Sequence, residues 1–259
     1  MELSLTNKRV LVTAGASGIG RSIVDTFIKA GARVHVCDID ENALKELQQT
    51  ESTISTTVCD VSKVDQVRKL FDEVRGSLGG LDVLINNAGI TGPTFTKVED
   101  IDPKDWERTL SVNVNGQFYC AHYAVPMIKE AGGGSIINMS SVAGRLGYPL
   151  RTPYAASKWA VVGFTQSLAM ELGPDNIRVN CLQPGFVDGP RSRRLRAAQA
   201  AALGETVEQC EARMFAKTSM RQRVNPEEVA AMALFLAAGT GAHITGQSLS
   251  VCGGVETLR

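Results

Sequence analysis

The chain alternates between short apolar segments and longer amphipathic segments along its whole length. The segments predicted to be strands lie near residues 9–13, 33–37, 54–59, 81–86, 134–140, 177–183 and 247–252, and Val10–Val12 in the first is continuously apolar. Continuously apolar strands are typical of a parallel sheet that is covered by helices on both faces. The pattern therefore predicts an α/β fold with a doubly wound, parallel, seven-stranded sheet. No long polar linker, repeat or low-complexity segment interrupts it, so we expect a single domain over residues 1–259.

The first predicted strand leads into a glycine-rich turn and an amphipathic helix. Residues 10–12 are all apolar, and Gly15, Gly18 and Gly20 follow before the apolar positions of the helix begin. Glycines let the backbone turn tightly and approach a pyrophosphate, whose negative charge the free N–H groups of the helix N-terminus stabilise. The alternative is a plain strand-to-helix turn, and the next strand bears on the choice.

Asp38 ends the second predicted strand, twenty residues beyond Gly18. An acidic side chain at this distance is part of the dinucleotide-binding pattern, because it accepts hydrogen bonds from ribose hydroxyls and repels a 2′-phosphate. Ile39 follows Asp38 and Ser17 precedes Gly18, so neither position supplies a basic side chain for that phosphate. The sequence therefore predicts a Rossmann domain that binds NAD rather than NADP.

A second pattern indicates proton transfer. Tyr154 and Lys158 are four residues apart and share a face of a predicted helix, and Ser141 ends an apolar segment thirteen residues before the tyrosine. A phenol with a pKa of about 10 is a poor base near neutrality, and a neighbouring ammonium corrects this by favouring the ionised form. Ser141 is then placed to orient the oxygen of an alcohol or ketone. A tyrosine and a lysine at this spacing also occur by chance on surface helices, so this interpretation depends on its agreement with the nucleotide motif.

Several further motifs follow one another along the chain. They are Thr13-Ala14-Gly15-Ala16-Ser17-Gly18-Ile19-Gly20, Cys59-Asp60-Val61, Asn86-Asn87-Ala88-Gly89, Asn113-Val114-Asn115-Gly116 and Pro184-Gly185. In these motifs, and in Ser141, Tyr154 and Lys158, the chain resembles the short-chain dehydrogenase/reductase family over nearly its whole length. The resemblance implies a nicotinamide-dependent oxidoreductase that acts on CH–OH groups.

The resemblance also implies roles for individual residues. Tyr154 is the general base in oxidation and the general acid in reduction, and Lys158 lowers its pKa and contacts the nicotinamide ribose. Ser141 holds the substrate oxygen, and Asn113 anchors a water-linked proton relay to the lysine. Residues implied to bind the cofactor are Gly15, Ser17, Gly18, Ile19, Asp38, Asp60, Val61, Asn87, Ala88, Gly89, Tyr154, Lys158, Pro184, Gly185 and Val187.

The chain departs from the family pattern at two cofactor positions. Ala14 replaces the usual first glycine, which adds only a methyl group. Gly189 stands where a threonine commonly helps to hold the nicotinamide carboxamide, so we expect backbone groups of Val187 to hold it instead. Cys252 replaces a frequent aspartate in the last strand, and we interpret it as core packing.

The composition limits the possible partners. Lysine plus arginine and aspartate plus glutamate both number 27, so the net charge is zero and nothing indicates nucleic acid. The N-terminus lacks a signal-peptide core and no apolar stretch reaches membrane-spanning length, so we expect a cytoplasmic protein without a membrane partner. The six cysteines and three histidines are dispersed without metal-ligand spacing, so we expect reduced cysteines and no metal site.

We expect a small-molecule substrate to bind beside Ser141 and Tyr154, under a helical lid at residues 188–217 that the family resemblance implies. Arginines are frequent around this predicted pocket. The lid contains arginines at positions 191, 193, 194 and 196, and the loop between Ser141 and Tyr154 contains two more, at positions 145 and 151. In one interpretation, the lid arginines face solvent or pair with Asp188 and Glu205. In the other, Arg145, Arg151 or Arg191 binds an anionic group of the substrate.

The expected reaction is reversible hydride transfer between NAD and a secondary alcohol or hemiacetal. The few aromatic residues favour a small polar substrate, such as a sugar, sugar acid, polyol or hydroxy acid. One alternative is a reductase of hydrophobic ketones or 3-oxoacyl groups, and another is a sensor or scaffold that binds dinucleotide without turnover. The helices near residues 106–127 and after Tyr154 are apolar on more than one face, which favours a homo-oligomer, and the resemblance implies a tetramer rather than a dimer.

Overall fold

A computed structural model describes residues 3–255 of the chain, apart from the side chain of Arg191. It confirms the predicted seven-stranded parallel sheet, and no strand end differs from its predicted position by more than two residues. The strand order is β3-β2-β1-β4-β5-β6-β7. The strands are β1 Arg9–Thr13, β2 Arg33–Asp38, β3 Ser55–Val58, β4 Val83–Asn86, β5 Gly134–Met139, β6 Ile177–Pro184 and β7 Ser248–Val251.

Helices cover both faces of the sheet within residues 3–255. They are α1 Gly18–Lys29, α2 Glu41–Thr50, α3 Val64–Leu78, α4 Pro103–Leu110, α5 Gly116–Glu130, α6 Thr152–Leu172, α7 Pro190–Leu203, α8 Val207–Phe215 and α9 Pro226–Ala237. One apolar core lies between the sheet and α1, α2 and α9. A second core lies between the opposite face and α3, α5 and α6. This burial on both faces explains why the central strands contain continuous apolar runs, such as Val10–Val12 of β1 and Val83–Ile85 of β4.

The chain changes direction across the sheet between β1 and β4. From β1 it moves outward through β2 to β3, and it then crosses to β4 on the other side of β1. Residue Val12 of β1 therefore pairs with Val36 of β2 on one side and with Ile85 of β4 on the other. In sheets of this kind, ligands bind beyond the carboxyl ends of the strands at such a reversal.

A π-helical turn, Ser111–Asn115, joins α4 to α5. The wider turn interrupts the regular helical spacing and brings the buried side chain of Asn113 to the carboxyl edge of the sheet. At the other end of that edge, residues 188–217 form α7 and α8 after β6. Both segments therefore border the edge where Ser141 and Tyr154 lie.

Candidate active site

The glycine-rich turn between β1 and α1 is tightly packed. A Cβ atom on Gly20 would lie 2.1 Å from the carbonyl oxygen of Ala14. The Asn87 amide donates hydrogen bonds to the carbonyls of Thr13 and Ala14, both at 3.0 Å. Ala14 itself has a φ of 50°. Its replacement of glycine therefore adds more than a methyl group, because it places an L-residue in the left-handed region.

The turn leaves room for a ligand beside the start of α1. Ser17 precedes the helix, and its side chain caps none of the helix N–H groups. Gly18 has a φ of 55°, and no atom lies within 4 Å of where its Cβ would be. Gly15 differs, because its Cβ would meet the Val36 side chain at 2.6 Å, which makes Gly15 a packing position under the turn. Free N–H groups and open space at a helix N-terminus fit a pyrophosphate.

Two acidic side chains mark the neighbouring strand ends. Asp38 is buried at the end of β2, and its carboxylate accepts hydrogen bonds from the backbone N–H groups of Ala16 and Asp40, both at 3.2 Å. Asp60 follows β3 and accepts from Ser62. Burial would raise the pKa of Asp60, but the hydrogen bonds from Ser62 and the charge of Arg108 lower it overall. Both positions therefore place an acidic side chain beside the turn, as an adenosine site requires.

Tyr154 and Lys158 lie in the first turns of α6, which the Pro153 pyrrolidine ring helps to begin. The Lys158 side chain is buried, and its Nζ donates to the carbonyl oxygen of Met139 at 2.8 Å. The same Nζ lies 5.6 Å from the centroid of the Tyr154 ring. The Ser157 hydroxyl donates to the Tyr154 carbonyl at 2.7 Å. The helix therefore holds a cation close to the phenol, which favours its ionised form.

Ser141 and Asn113 approach this pair from two other elements. The Ser141 oxygen accepts from the Ala143 N–H at 3.2 Å, so its own proton can be donated to an oxygen in the cavity. Asn113 accepts from the Ile90 N–H at 2.7 Å and donates to the Ile90 carbonyl and the Ser157 hydroxyl, both at 3.0 Å. All of its polar atoms are thus engaged, which fixes the side chain next to the helix that carries the tyrosine.

A cavity of about 540 Å³ connects these features. Ser141, Tyr154 and Lys158 line it at one end. Predicted cofactor residues that also line it are Ser17, Gly18, Ile19, Asn87, Gly89, Pro184, Gly185 and Val187. Gly89 brings the two sets together, because its Cβ would lie 3.2 Å from Asn113 Oδ1 and 3.5 Å from Lys158 Nζ. Two other predicted cofactor residues, Val61 and Ala88, are buried. Val61 packs against Gly116, and the Ala88 N–H donates a hydrogen bond to the Thr13 hydroxyl.

The predicted substrate arginines differ in their position relative to the cavity. Arg151 lines the cavity beside Tyr148 and Tyr154. Arg145 is exposed and points the other way, because its guanidinium donates to the Ser248 carbonyl of β7 at 3.4 Å. The side chain of Arg191 lies outside the described part of the chain. Of the described pair, only Arg151 is placed to contact a substrate.

Two of the lid arginines, Arg193 and Arg196, belong to an ion-pair network, as one of the two sequence interpretations expected. Asp188 accepts from Arg193, Arg196 and Arg223, and Arg196 and Arg223 also pair with Glu211 of α8. The hydrogen bond from Arg193 and the charges of Arg193 and Arg223 lower the pKa of Asp188 to about 2. The Asp188 partner was expected, whereas Glu205 pairs with Arg213 instead of an arginine of α7. The network ties α7 and α8 to the end of β6.

Gly189 has a structural reason to replace threonine. Its φ is 152°, a conformation that L-residues rarely adopt, although no atom lies within 4 Å of its missing Cβ. One turn later, the Ser192 hydroxyl lines the cavity and donates to the Gly189 carbonyl at 3.2 Å. Sequence reasoning did not single out Ser192, nor did it single out Phe95, Gln199 and Met214 among the lining residues. No motif marks these positions, which depend on the path of α7 and α8.

The described part of the chain contains neither a membrane-spanning helix nor a cluster of metal-ligating side chains. Within residues 3–255, no helix is long and apolar enough to cross a membrane. In the same part of the chain, no group of three or more histidine, cysteine, aspartate or glutamate side chains is placed to hold a metal ion.

The fold and the site define a nicotinamide-dependent oxidoreductase of the Rossmann class. Comparison with known proteins makes the assignment narrower. A family model described as "Enoyl-(Acyl carrier protein) reductase" matches residues 13–256. The chain belongs to the short-chain dehydrogenase/reductase family. Members of this family bind a nicotinamide dinucleotide and act on CH–OH groups.

Individual relatives differ in their named substrates. The 3-oxoacyl-[acyl-carrier-protein] reductase FabG of Chlamydia muridarum is 36% identical over 98% of this chain and 100% of its own length. The probable galactose dehydrogenase GalD of Rhizobium meliloti is 36% identical over 97% of this chain and 96% of its own. The crystal structure of an NAD⁺-bound xylitol dehydrogenase has a TM-score of 0.90 and 28% identity, and covers 96% of this chain and 99% of that one.

Proposed function

We propose that this protein is an NAD-dependent dehydrogenase that oxidises a secondary alcohol or hemiacetal of a small polar molecule. One observation carries the proposal. Ser141, Tyr154 and Lys158 converge on one end of a cavity whose other end is the coenzyme turn. A proton-transfer group next to a dinucleotide site is what alcohol oxidation requires, because proton and hydride leave the same carbinol.

The proposed mechanism assigns one task to each residue. A bound nicotinamide cofactor supplies the hydride acceptor. Tyr154 removes the hydroxyl proton in oxidation and returns it in reduction, while Lys158 stabilises the phenolate. Ser141 donates to the substrate oxygen and fixes its position. Asn113 anchors the relay that returns the proton to solvent, since its engaged side chain holds the turn beside Lys158 in place.

The preference for NAD is inferred from Asp38. Its buried carboxylate lies beside the coenzyme turn, where a 2′-phosphate would meet a negative charge. No basic residue stands at positions 16, 17 or 39 to offset it. The NAD⁺-bound xylitol dehydrogenase supports the same assignment by its structural similarity.

We infer a small polar substrate from the polar side chains of the cavity. Threonine, serine, glutamine and arginine side chains line it, together with apolar residues such as Phe95, Leu195 and Met214. The relatives named for galactose and xylitol are consistent with this class. The second candidate is a 3-oxoacyl or ketone reductase. It is favoured by Phe186, whose ring contacts Phe215 at 6.4 Å between centroids on the lid side of the cavity, and by the similarity to FabG.

Two further features belong to the proposal. Residues 188–217 act as a lid, because α7 and α8 border the cavity and are tied to β6 through Asp188. The protein assembles as a homotetramer through α4, α5 and α6. Large apolar side chains are exposed on these helices, namely Trp106, Phe118, Trp159 and Met170.

The test is NADH formation with NAD and NADP in parallel, across sugars, sugar acids, polyols and hydroxy acids. We expect activity with NAD on at least one of these substrates. Tyr154→Phe should lower kcat by about 10³-fold or more while NADH binding stays within twofold. Unchanged turnover in that variant would refute the mechanism. NADH binding without turnover on any alcohol or ketone would favour a non-catalytic dinucleotide binder.

A further inference from the structure

The cavity is positively charged. Among the described residues that line it, Arg151, Lys158, Arg194 and Arg196 are cationic, and Asp188 is the acidic one. Asp188 is already engaged by three arginines, so it does not offset the charge near Tyr154. Arg196 is likewise neutralised, because it is buried against Asp188 and Glu211. Of the remaining cations, Arg194 is exposed on α7, whereas Arg151 and Lys158, which holds the Met139 carbonyl, lie beside the Tyr154 ring.

Arg151 has an unusual environment for a cavity arginine. Its guanidinium carbon lies 4.4 Å from the centroid of the Tyr154 ring and 5.3 Å from that of Tyr148. Its Nε is buried and makes no hydrogen bond. Within residues 3–255, no carboxylate lies within 4.0 Å of the guanidinium, whereas the cationic groups of Arg193, Arg196 and Arg223 each reach one. Aromatic rings stabilise a cation without neutralising it, so Arg151 keeps its charge for a ligand.

The positive charge of Arg151 also affects the pKa of the neighbouring Tyr148 phenol. Burial raises the pKa of Tyr148, and the charge of Arg151 acts against that rise. Tyr148 therefore remains a neutral hydrogen-bonding wall around neutral pH and does not become the counter-ion of Arg151. The side chains of Tyr148 and Tyr154 hold the guanidinium between them at the reaction end of the cavity.

We propose that Arg151 is the receptor for a carboxylate of the substrate, and that the substrate class is a short hydroxy acid or the matching keto acid. The proposal rests on the proposed dehydrogenase function and narrows its substrate. A guanidinium presents parallel N–H donors that match the two oxygens of a carboxylate. Because this guanidinium covers the ring whose oxygen takes the proton, the carboxylate and the reacting hydroxyl are separated by only a few bonds.

The experiment measures binding rather than turnover. The Tyr154→Phe protein saturated with NADH is titrated with 2-oxobutanoate, acetoacetate and 4-oxopentanoate, and with the methyl ester of each, and ligand binding is followed by NADH fluorescence and calorimetry. The same titrations are made after adding Arg151→Gln, Arg151→Lys or Arg145→Gln. Arg145 is the matched control, because it flanks the same loop but bonds to β7 outside the cavity.

We expect at least one keto acid to bind with a Kd at least tenfold lower than that of its ester. Arg151→Gln should raise the Kd of the acid about 10- to 100-fold and leave that of the ester unchanged, since only the acid loses a charge-assisted pair. Arg151→Lys should restore part of the affinity, and Arg145→Gln should change nothing. Added salt should weaken binding of the acid more than that of the ester.

The outcomes separate this proposal from the proposed function. Equal binding of acid and ester by the protein with Arg151 would overturn the carboxylate receptor, as would no effect of Arg151→Gln. An equal loss for acid and ester would also overturn it, because Arg151 would then be a positioning residue for the tyrosine ring. A protein that does not bind NADH at all would overturn the dehydrogenase function, and this proposal with it.

Discussion

His35 offers a quantitative test of how the strand that carries Asp38 is held. The imidazole is buried in β2, and its two nitrogens lie 2.7–2.9 Å from the hydroxyls of Ser55, Thr57 and Ser77. Two of these residues belong to β3 and the third to α3. Desolvation by burial disfavours the imidazolium and lowers the pKa of His35 from 6.5 to about 4.

The sign of the effect follows from proton binding. Between pH 6.5 and about 4 the unfolded chain binds a proton at His35 that the folded protein does not. The contribution of the neutral His35 to the free energy of unfolding is therefore fully present above pH 6.5, and it is lost as the pH falls towards 4. One pKa unit is worth about 1.4 kcal/mol, so the loss between pH 7 and pH 5 is about 2 kcal/mol.

Urea unfolding at pH 7 and pH 5 measures this loss. The protein with His35 should lose about 2 kcal/mol more of its free energy of unfolding than His35→Gln, which keeps a polar side chain but no titrating group. His243→Gln is the control, because that histidine is exposed. Equal losses in the native protein and His35→Gln would refute the reasoning, as would an equal effect of His243→Gln.

Three further predictions follow from the cofactor turn and the lid. Asp38→Asn should raise the ratio of kcat/KM for NADP over NAD about 10- to 100-fold, because the charge that opposes the 2′-phosphate is removed, and an unchanged ratio would contradict this. Gly20→Ala should abolish NADH binding in calorimetry, because its Cβ would lie 2.1 Å from the carbonyl of Ala14, whereas Gly76→Ala, with no atom within 4 Å, should preserve it. Asp188→Asn should increase the rate of proteolytic cleavage within residues 190–215 several-fold, because a neutral amide cannot balance three arginines, and an unchanged rate would count against the lid anchor.

The sheet was predictable because its signal is spread over many residues. The central strands contain continuous apolar runs, Val10–Val12 in β1 and Val83–Ile85 in β4, which are buried on both faces, whereas the edge strands β3 and β7 are more polar. The position of Asp38 at a strand end followed from the same pattern. Asn113 was a different case, because a π-helical turn sets its direction and periodicity analysis assumes regular helices. Only the family resemblance drew attention to that residue.

The substrate end of the site depended on loop geometry that the sequence does not encode by spacing. Arg145 and Arg151 flank the same loop and were equivalent candidates by position. In the structure, Leu150 has a φ of 61°, and the chain after it turns Arg151 towards Tyr154 while Arg145 reaches β7. A non-glycine residue in the left-handed region thus immediately precedes the arginine that faces Tyr154. Spacing arguments fail at such points, since a non-glycine residue in that region is uncommon.

These contrasts also explain how relatives at similar identity carry names for different substrates. FabG and GalD match this chain almost end to end at 36% identity, so the fold is shared. A substrate preference must then come from residues outside the shared motifs that still reach the cavity. In this chain Arg151, Gly189 and Ser192 meet that description, because they line the cavity through local backbone geometry rather than through a motif. Exchanging such residues should change the substrate while the nucleotide site is retained, because the two ends of the cavity are built from different segments.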